Sequence, residues 1–438
     1  MFRSCLLHNL IAALSILAAA SVHSRSSEVG YPTFLSPHYR PIVRHNEMVF
    51  VVNTPSDTVD VIDPESESVI RRIPVGIDPV ALAVRPDGKE LWVSNHVSDS
   101  VSVIDLAPSS PTRFAVIATV QDLVGGVTRF DEPMGIAFAN STKAYVALSS
   151  ENQIAVINAQ TKQITRKLTI PAQDPRAMEV RGNRLYVLPF ESNNQTQISG
   201  CTGPLNGDLC TFDATEHVIT NNNVLSRNAV VDIVKNPAIP DRDLFVFDTS
   251  DDSLIQTVSG VGTLLYGMAI DASGTVFVAQ TDARNDVNGR AGTLGDGLAE
   301  MGNRPFLNQI TQVNCPSSCS YEKAINLEPL PPADPAPGTA MATPYALTIS
   351  DDGKTLVGTA AGSNRLYTMD AQSGSVIGRT QVGTAPRGIA LDMNASGAPV
   401  AAWVFNAVDN SVSRVNLESL SDPQVSTPYS WRTRHRPS

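Results

Sequence analysis

Five residues stand out for what they would bind together. Arg40, Arg176 and Arg387 carry planar guanidinium forks, and Tyr266 and Tyr345 carry flat rings tipped by a hydroxyl. Each stands immediately ahead of an apolar run that opens one copy of a repeated segment, and Val80 and Met134 hold the same place in two further copies. Three arginines and two tyrosines around one opening suit an anionic or planar ligand. The competing reading is that each arginine pairs with a nearby carboxylate, Asp78, Glu132 or Asp174, and merely holds the repeats together. His96 would serve as a base or haem ligand, but no histidine stands at the matching position of another copy. Asp282, Asn285, Asp286, Asn288 and Gly289 are rich in oxygen ligands yet lack the D-x-[DN]-x-[DN]-G order of a calcium loop. A polar loop is the better reading, and no metal site is expected. There is no G-x-S-x-G, no H-E-x-x-H and no phosphate-binding glycine loop. The residues therefore name neither a catalytic set nor a cofactor.

The elements that must position these side chains form a repeat. A strand, a turn with Asp or Gly, a second strand, a hairpin with Asn, a third strand often ending in Asp and a fourth strand recur along the chain. The clearest copy reads DPVALAVRP, ELWVSNH, SVSVID and RFAVIATV from Asp78 onward. Its runs alternate with period two and are rich in β-branched residues, as half-buried strands require. PDGK (86–89) and DDGK (351–354) supply the turns. First strands begin near Arg40, Pro79, Pro133, Pro175, Leu265, Pro344 and Pro386, and second and third strands each recur seven times as well. Four antiparallel strands about every 40 residues predict a seven-bladed all-β propeller, one cooperative domain over 25–428. The fourth copy carries an insertion at about 191–240 and the fifth one at about 282–306, both after a second strand and hence over the face where first strands enter the channel. Pro329–Pro337 reads as a surface loop. For the fourth strand of the last copy there are two candidates, Asp422–Thr427 or Glu28–Leu35. The pairs Asn53/Asp57, Asn95/Asp99 and Asn406/Asn410 read as hairpin structure, because Asn and Asp tolerate the left-handed backbone.

VVNTPSDTVDVID (51–63) and VSNHVSDSVSVID (93–105), with IPVGIDPVALAVRPDGK (73–89) and QVGTAPRGIALD (381–392), resemble the YVTN-type β-propeller repeat. The resemblance covers most of the chain outside the start and the insertions. It implies the propeller fold; for function it is silent, since a fold hosts many activities. IPDRDLFVFD (239–248) and AEMGNRPFLNQIT (299–311) resemble the propeller part of exported fusions with a cytochrome c or peroxidase-like domain, but no C-x-x-C-H occurs in the sequence.

The chain of 438 residues has a net charge of -11, which excludes the basic surface of a nucleic-acid binder. Arg3, the apolar run Leu10–Ala20 and the small residues around Ser24 read as a cleaved signal peptide over 1–24. No other stretch is apolar and long enough to span a bilayer. The expected location is periplasmic or extracellular. Four cysteines then remain, and the expected disulfides join Cys201 to Cys210 and Cys315 to Cys319. The tail 429–438 lacks the repeat pattern. The functional expectation is a non-catalytic binding or protein-interaction module for an unknown protein or small anionic ligand. A redox-associated propeller with a cytochrome c-type partner and a lactonase-like hydrolase are the alternatives.

Overall fold

The computed structural model describes residues 36–201, 230–235, 237–287, 290–291, 304–426 and 429–430. It is an all-β protein of antiparallel four-stranded meanders, a β-propeller. The first three meanders span 42–74, 79–120 and 133–169, each a sheet with its strands in chain order. The fourth (173–258) and fifth (264–326) share one eight-stranded sheet, joined where Glu191 pairs with Leu264. The sixth spans 344–381. The seventh spans 386–425 and takes a short extra strand at its edge.

Sequence and structure meet in the turns and cores. Gly88 and Gly353 close the first turns of their meanders at φ +72° and +71°, a conformation that side chains resist. Val, Ile and aromatic side chains on the two faces of each sheet interdigitate with the neighbouring sheets. Ile42, Val51 and Val61 of the first meander pack with Leu82 and Leu91 of the second and with Trp403 and Phe405 of the seventh. The first and last meanders thus share one core. The first strand of each meander lies beside the first strand of the next, and Pro386–Met393 lies beside Ile42–His45.

Two hydrogen-bond patterns recur on the central hairpins, one between meanders and one within them. Asp57, Asp99, Asn152 and Asn364 stand in the left-handed region on central hairpins, at φ between +48° and +55°. Their side-chain oxygens accept the N–H of Asp78, Glu132, Asp174 and Ala385, which open the next first strand, at 2.8–3.2 Å. Within the hairpins, Asn95 donates to Ser100 and Ser102, Asn406 to Ser411 and Ser413, and Asn53 to Asp60. The amide N–H groups of Asn53, Asn95 and Asn406 are thus engaged within their hairpins, while their buried side-chain oxygens have no partner among the described residues; the donated bonds give these residues a structural task.

Glycines mark the closest approaches. A Cβ on Gly267 would lie 2.5 Å from the Tyr345 carbonyl oxygen, and one on Gly388 2.5 Å from Cγ of Pro41. Gly135 abuts the Arg176 carbonyl in the same way. In each case a glycine follows the residue ahead of the apolar run, and the neighbouring first strand passes over it.

The seventh meander is completed from the C-terminal side. Gln424–Val425 pairs with Val415–Asn416, and Tyr429–Ser430 pairs with Ser411–Val412. The first two residues of the expected tail therefore form a strand. The other candidate, Glu28–Leu35, lies outside the described residues. The two insertions form a sheet of their own: Thr196–Cys201 pairs with Val230–Lys235, which pairs with Arg290–Ala291. Cys315 and Cys319 are joined by a disulfide in the loop after a third strand. Cys210, and with it the Cys201–Cys210 pairing, lies outside the described residues. Among the described residues no helix is long and apolar enough to cross a membrane.

Candidate functional site

A local irregularity aims the column of arginines and tyrosines. In six meanders the pairing of first with second strand slips by a residue at this point, between Pro79 and Ala81, Pro133 and Ile136, Pro175 and Ala177, Leu265 and Gly267, Pro344 and Leu347, and Pro386 and Gly388. The residue just after the last paired position has no partner across the ladder, and in the third and sixth meanders neither does the one after it. Such bulges redirect a side chain, and here the redirected ones are Val80, Met134, Arg176, Tyr266, Tyr345 and Arg387. In the first meander Arg40 takes φ +51° instead.

The structure brings four of the five candidates together and separates one. Cζ of Arg176 lies 3.9 Å from the Phe190 ring centre. Phe190 meets Tyr266 edge-on at 5.4 Å, Tyr266 meets Tyr345 at 5.3 Å, and Cζ of Arg387 lies 5.3 Å from the Tyr345 ring. A cation–aromatic ladder thus crosses the fourth to seventh meanders. Burial raises the Tyr266 hydroxyl, with Tyr345 adding to the effect and Arg176 and Arg387 opposing it. A recess of about 410 Å³ opens beside Tyr266, walled by Leu264, Thr281, Phe306, Asn308 and Thr343.

The arginines differ in their partners. Both ends of the Arg176 fork are on Asp174, with Nε at 2.8 Å. Arg40 turns to Glu179, 2.8 Å away on the fourth meander. The expected partners Asp78 and Glu132 do not take it: Asp78 accepts from the Ser36 hydroxyl, and Glu132 lies against Ser149 and 3.9 Å from His96. Arg387 has no carboxylate within ion-pairing distance among the described residues. One of its terminal nitrogens donates to the Ser36 carbonyl at 3.2 Å, and its buried Nε has no partner.

A feature absent from the sequence reading is the segment Ser36–Arg40, which reaches four other meanders. Ser36 bonds Asp78 of the second. The His38 N–H donates to the Tyr345 hydroxyl of the sixth at 3.2 Å, and the His38 ring lies tilted against Phe405 of the seventh, centres 5.0 Å apart. The Tyr39 hydroxyl donates to the Met178 carbonyl of the fourth at 3.2 Å, and burial pushes that hydroxyl up to about 12. His38 is buried; its Nε2 lies 2.9 Å from the Thr54 hydroxyl, which donates its own proton to Pro79. Nε2 therefore carries the proton in that bond. Burial, with Arg387 and His96 adding, lowers His38 to about 3, so the ring is neutral. His96 itself is buried at the end of the second strand of its meander.

Phe190 and His96 belong to a second column, the residue just past each second strand's pairing with the bulge, which also contains Thr54, Ser149, Thr281, Ala361 and Ala407. A register of second-strand ends is the sequence signal that finds them. Asn285 bonds Asn194 and Thr196, and Asp282 accepts from Asn194 and Thr263, which ties the roots of the two insertions. Among the described residues no group of three or more His, Cys, Asp or Glu is placed to hold a metal.

Known proteins supply the fold and little more. A family model for YNCE-like beta-propellers matches residues 41–172. No curated protein matches the chain. Among solved structures, a chain of the Kuenenia stuttgartiensis Hydrazine Synthase is similar at 20% identity, with 87% of this chain and 97% of that chain covered and a TM-score of 0.61. At that identity the likeness concerns the fold, and the conclusion is that the chain has a β-propeller fold.

Proposed function

We propose that this chain is an exported, seven-bladed propeller that acts as a non-catalytic binding module and takes a small planar anion at the mouth beside Tyr266, Tyr345 and Arg387. The succession of seven four-stranded meanders, with the first and last sharing a core, supports the blade count. The Cys315–Cys319 disulfide supports export, since such bonds persist in oxidising compartments.

The observation that carries the ligand reading is Arg387. A buried guanidinium nitrogen without a partner costs free energy, on the order of 1–3 kcal/mol for a polar group. Arg387 lies against an aromatic face rather than a carboxylate. A carboxylate-bearing aromatic would pair with the half-buried Arg387 guanidinium, which has no carboxylate of its own among the described residues, and lie along the Tyr266–Tyr345 pair. Arg176 is held by Asp174 and serves as a wall, whereas Arg40 is held by Glu179 and takes no part in the ladder.

The test is a thermal-shift titration with benzoate and larger planar aromatic carboxylates. The ligand-induced rise in Tm is expected in the wild type and absent in the Arg176→Ala/Arg387→Ala double variant and in Arg387→Ala alone. An undiminished rise in the single and double variants removes the mouth from consideration.

A further inference from the structure

The face on which first strands begin and second strands end carries a second feature, on meanders that the ladder does not include. The connection between the second and third meanders extends into a hairpin in which Leu123–Val124 pairs with Val127–Thr128. Gly125 and Gly126 form its turn at φ +60° and +82°, the pattern of a tight two-residue hairpin. Phe130 is fully buried and roots the hairpin, while Arg129 N–H donates to the Asp122 carbonyl at 2.7 Å. The central hairpin of the second meander adjoins it, with Asp99 contacting Thr128 and Asp131; that hairpin carries Val97, and the N–H of Ile77 donates to its Ser98 hydroxyl at 2.9 Å.

Ile77, Val97, Leu123, Val124 and Val127 are between 48% and 68% exposed. Together they offer on the order of 400 Å² of apolar surface, the size at which a patch on a monomer is often functional. The hairpin's backbone bonds and its buried Phe130 do not require apolar side chains at its tip.

Carboxylates border the patch. Asp99 accepts the Glu132 N–H at 3.2 Å and lies against Asp131; burial raises its carboxyl, with Asp131 adding to the effect and the Glu132 N–H opposing it, and Glu132 is exposed. The nearby cations are Arg129 and Lys167, and Lys167 is held at 3.2 Å by both Asp122 and Glu151. A second copy of this chain would set these carboxylates against their own kind, on a molecule whose net charge is already -11.

We propose that this patch docks a partner protein whose contact surface is an apolar centre ringed by lysine or arginine. The apolar hairpin supplies the desolvated middle, and Asp99, Asp131 and Glu132 supply the complementary rim. The proposal does not depend on the ligand at the mouth.

The purified full chain is titrated with an amphipathic Leu/Lys peptide as the probe, with polylysine of equal charge and a Leu/Glu peptide of equal pattern as references. Fluorescence anisotropy reads binding, and circular dichroism and Tm confirm that each variant is folded. The expected result is saturable binding of the Leu/Lys peptide alone, weakened at least tenfold by Leu123→Ser/Val127→Ser, by Val97→Ser to a lesser degree, and by added salt. Equal binding of polylysine, an unchanged affinity in the folded double variant, or no saturable binding would overturn the proposal. So would concentration-dependent dimerisation of the chain that the double variant abolishes.

Discussion

Acid should loosen the segment across the mouth, and His38 is where it acts. In the folded protein this imidazole is neutral, held down from 6.5 to about 3 by burial, with Arg387 and His96 adding to it. The sign follows from which state binds the proton. Between pH 6.5 and 3 the unfolded or detached segment protonates and the folded one does not, so the contribution of His38 is complete above pH 6.5 and is lost as pH falls. At about 1.4 kcal/mol per unit, a fall to pH 5 removes about 2 kcal/mol, and full titration removes up to about 5 kcal/mol. His38→Gln retains a donor toward Thr54 and cannot titrate. The Tm of the wild type should drop further between pH 7 and pH 5 than that of the variant, by roughly the 2–4 °C expected per kcal/mol for a chain of 150–250 residues or less for a larger one. With histidine labelled at Cε1, the His38 resonance should not move down to pH 4.5. A His38 resonance that titrates near pH 6.5, or equal pH sensitivity in both proteins, would refute the assignment.

Two further perturbations probe the packing and a buried acid. Gly267→Ala places a Cβ 2.5 Å from the Tyr345 carbonyl oxygen, and overpacking of this kind should cost about 1–3 kcal/mol; chemical denaturation should show the loss, and Ala at Gly182, which has no neighbour within 4 Å of its Cβ but a φ of +59°, should cost less. Asp243 is fully buried, accepts the Val261 N–H through Oδ2 and leaves Oδ1 without a partner. Burial, then the neighbouring Asp241, push its carboxyl well up. The folded state therefore keeps a proton that the unfolded state loses above pH 3.8, so this group's contribution falls as pH rises. Asp243→Asn should raise Tm at pH 8 and by less at pH 5; a lowered Tm at pH 8 would contradict the reasoning.

Strand positions were legible because period-two alternation and Pro or Gly punctuation survive in every copy. The bulge column was legible for the same reason: a proline stands one residue before Val80, Met134, Arg176, Tyr345 and Arg387. The Arg176–Asp174 pair could be foreseen because it is local. The Arg40–Glu179 pair could not, because it joins the first meander to the fourth, and sequence proximity says nothing about which side chains face one another there. Phe190 was missed because first strands were aligned and second-strand ends were not. The repeat pattern begins only at Arg40, so the lead-in Ser36–Tyr39 is not legible in it; that lead-in reaches Tyr345, Phe405 and Met178 through contacts that no periodicity records. Gly135, Gly267 and Gly388 answer to backbone passing from the next meander, which becomes visible only when the meanders are set side by side.

The central claim is that Arg387 and the tyrosine pair form the binding surface. Its most direct test is a crystal structure of the protein with 4-bromobenzoate, in which the anomalous signal of bromine locates the ring. The account predicts a carboxylate on the Arg387 guanidinium and bromine density beside Tyr266 and Tyr345. Bromine density elsewhere on the protein, with Arg387 still bonded only to Ser36, would contradict it.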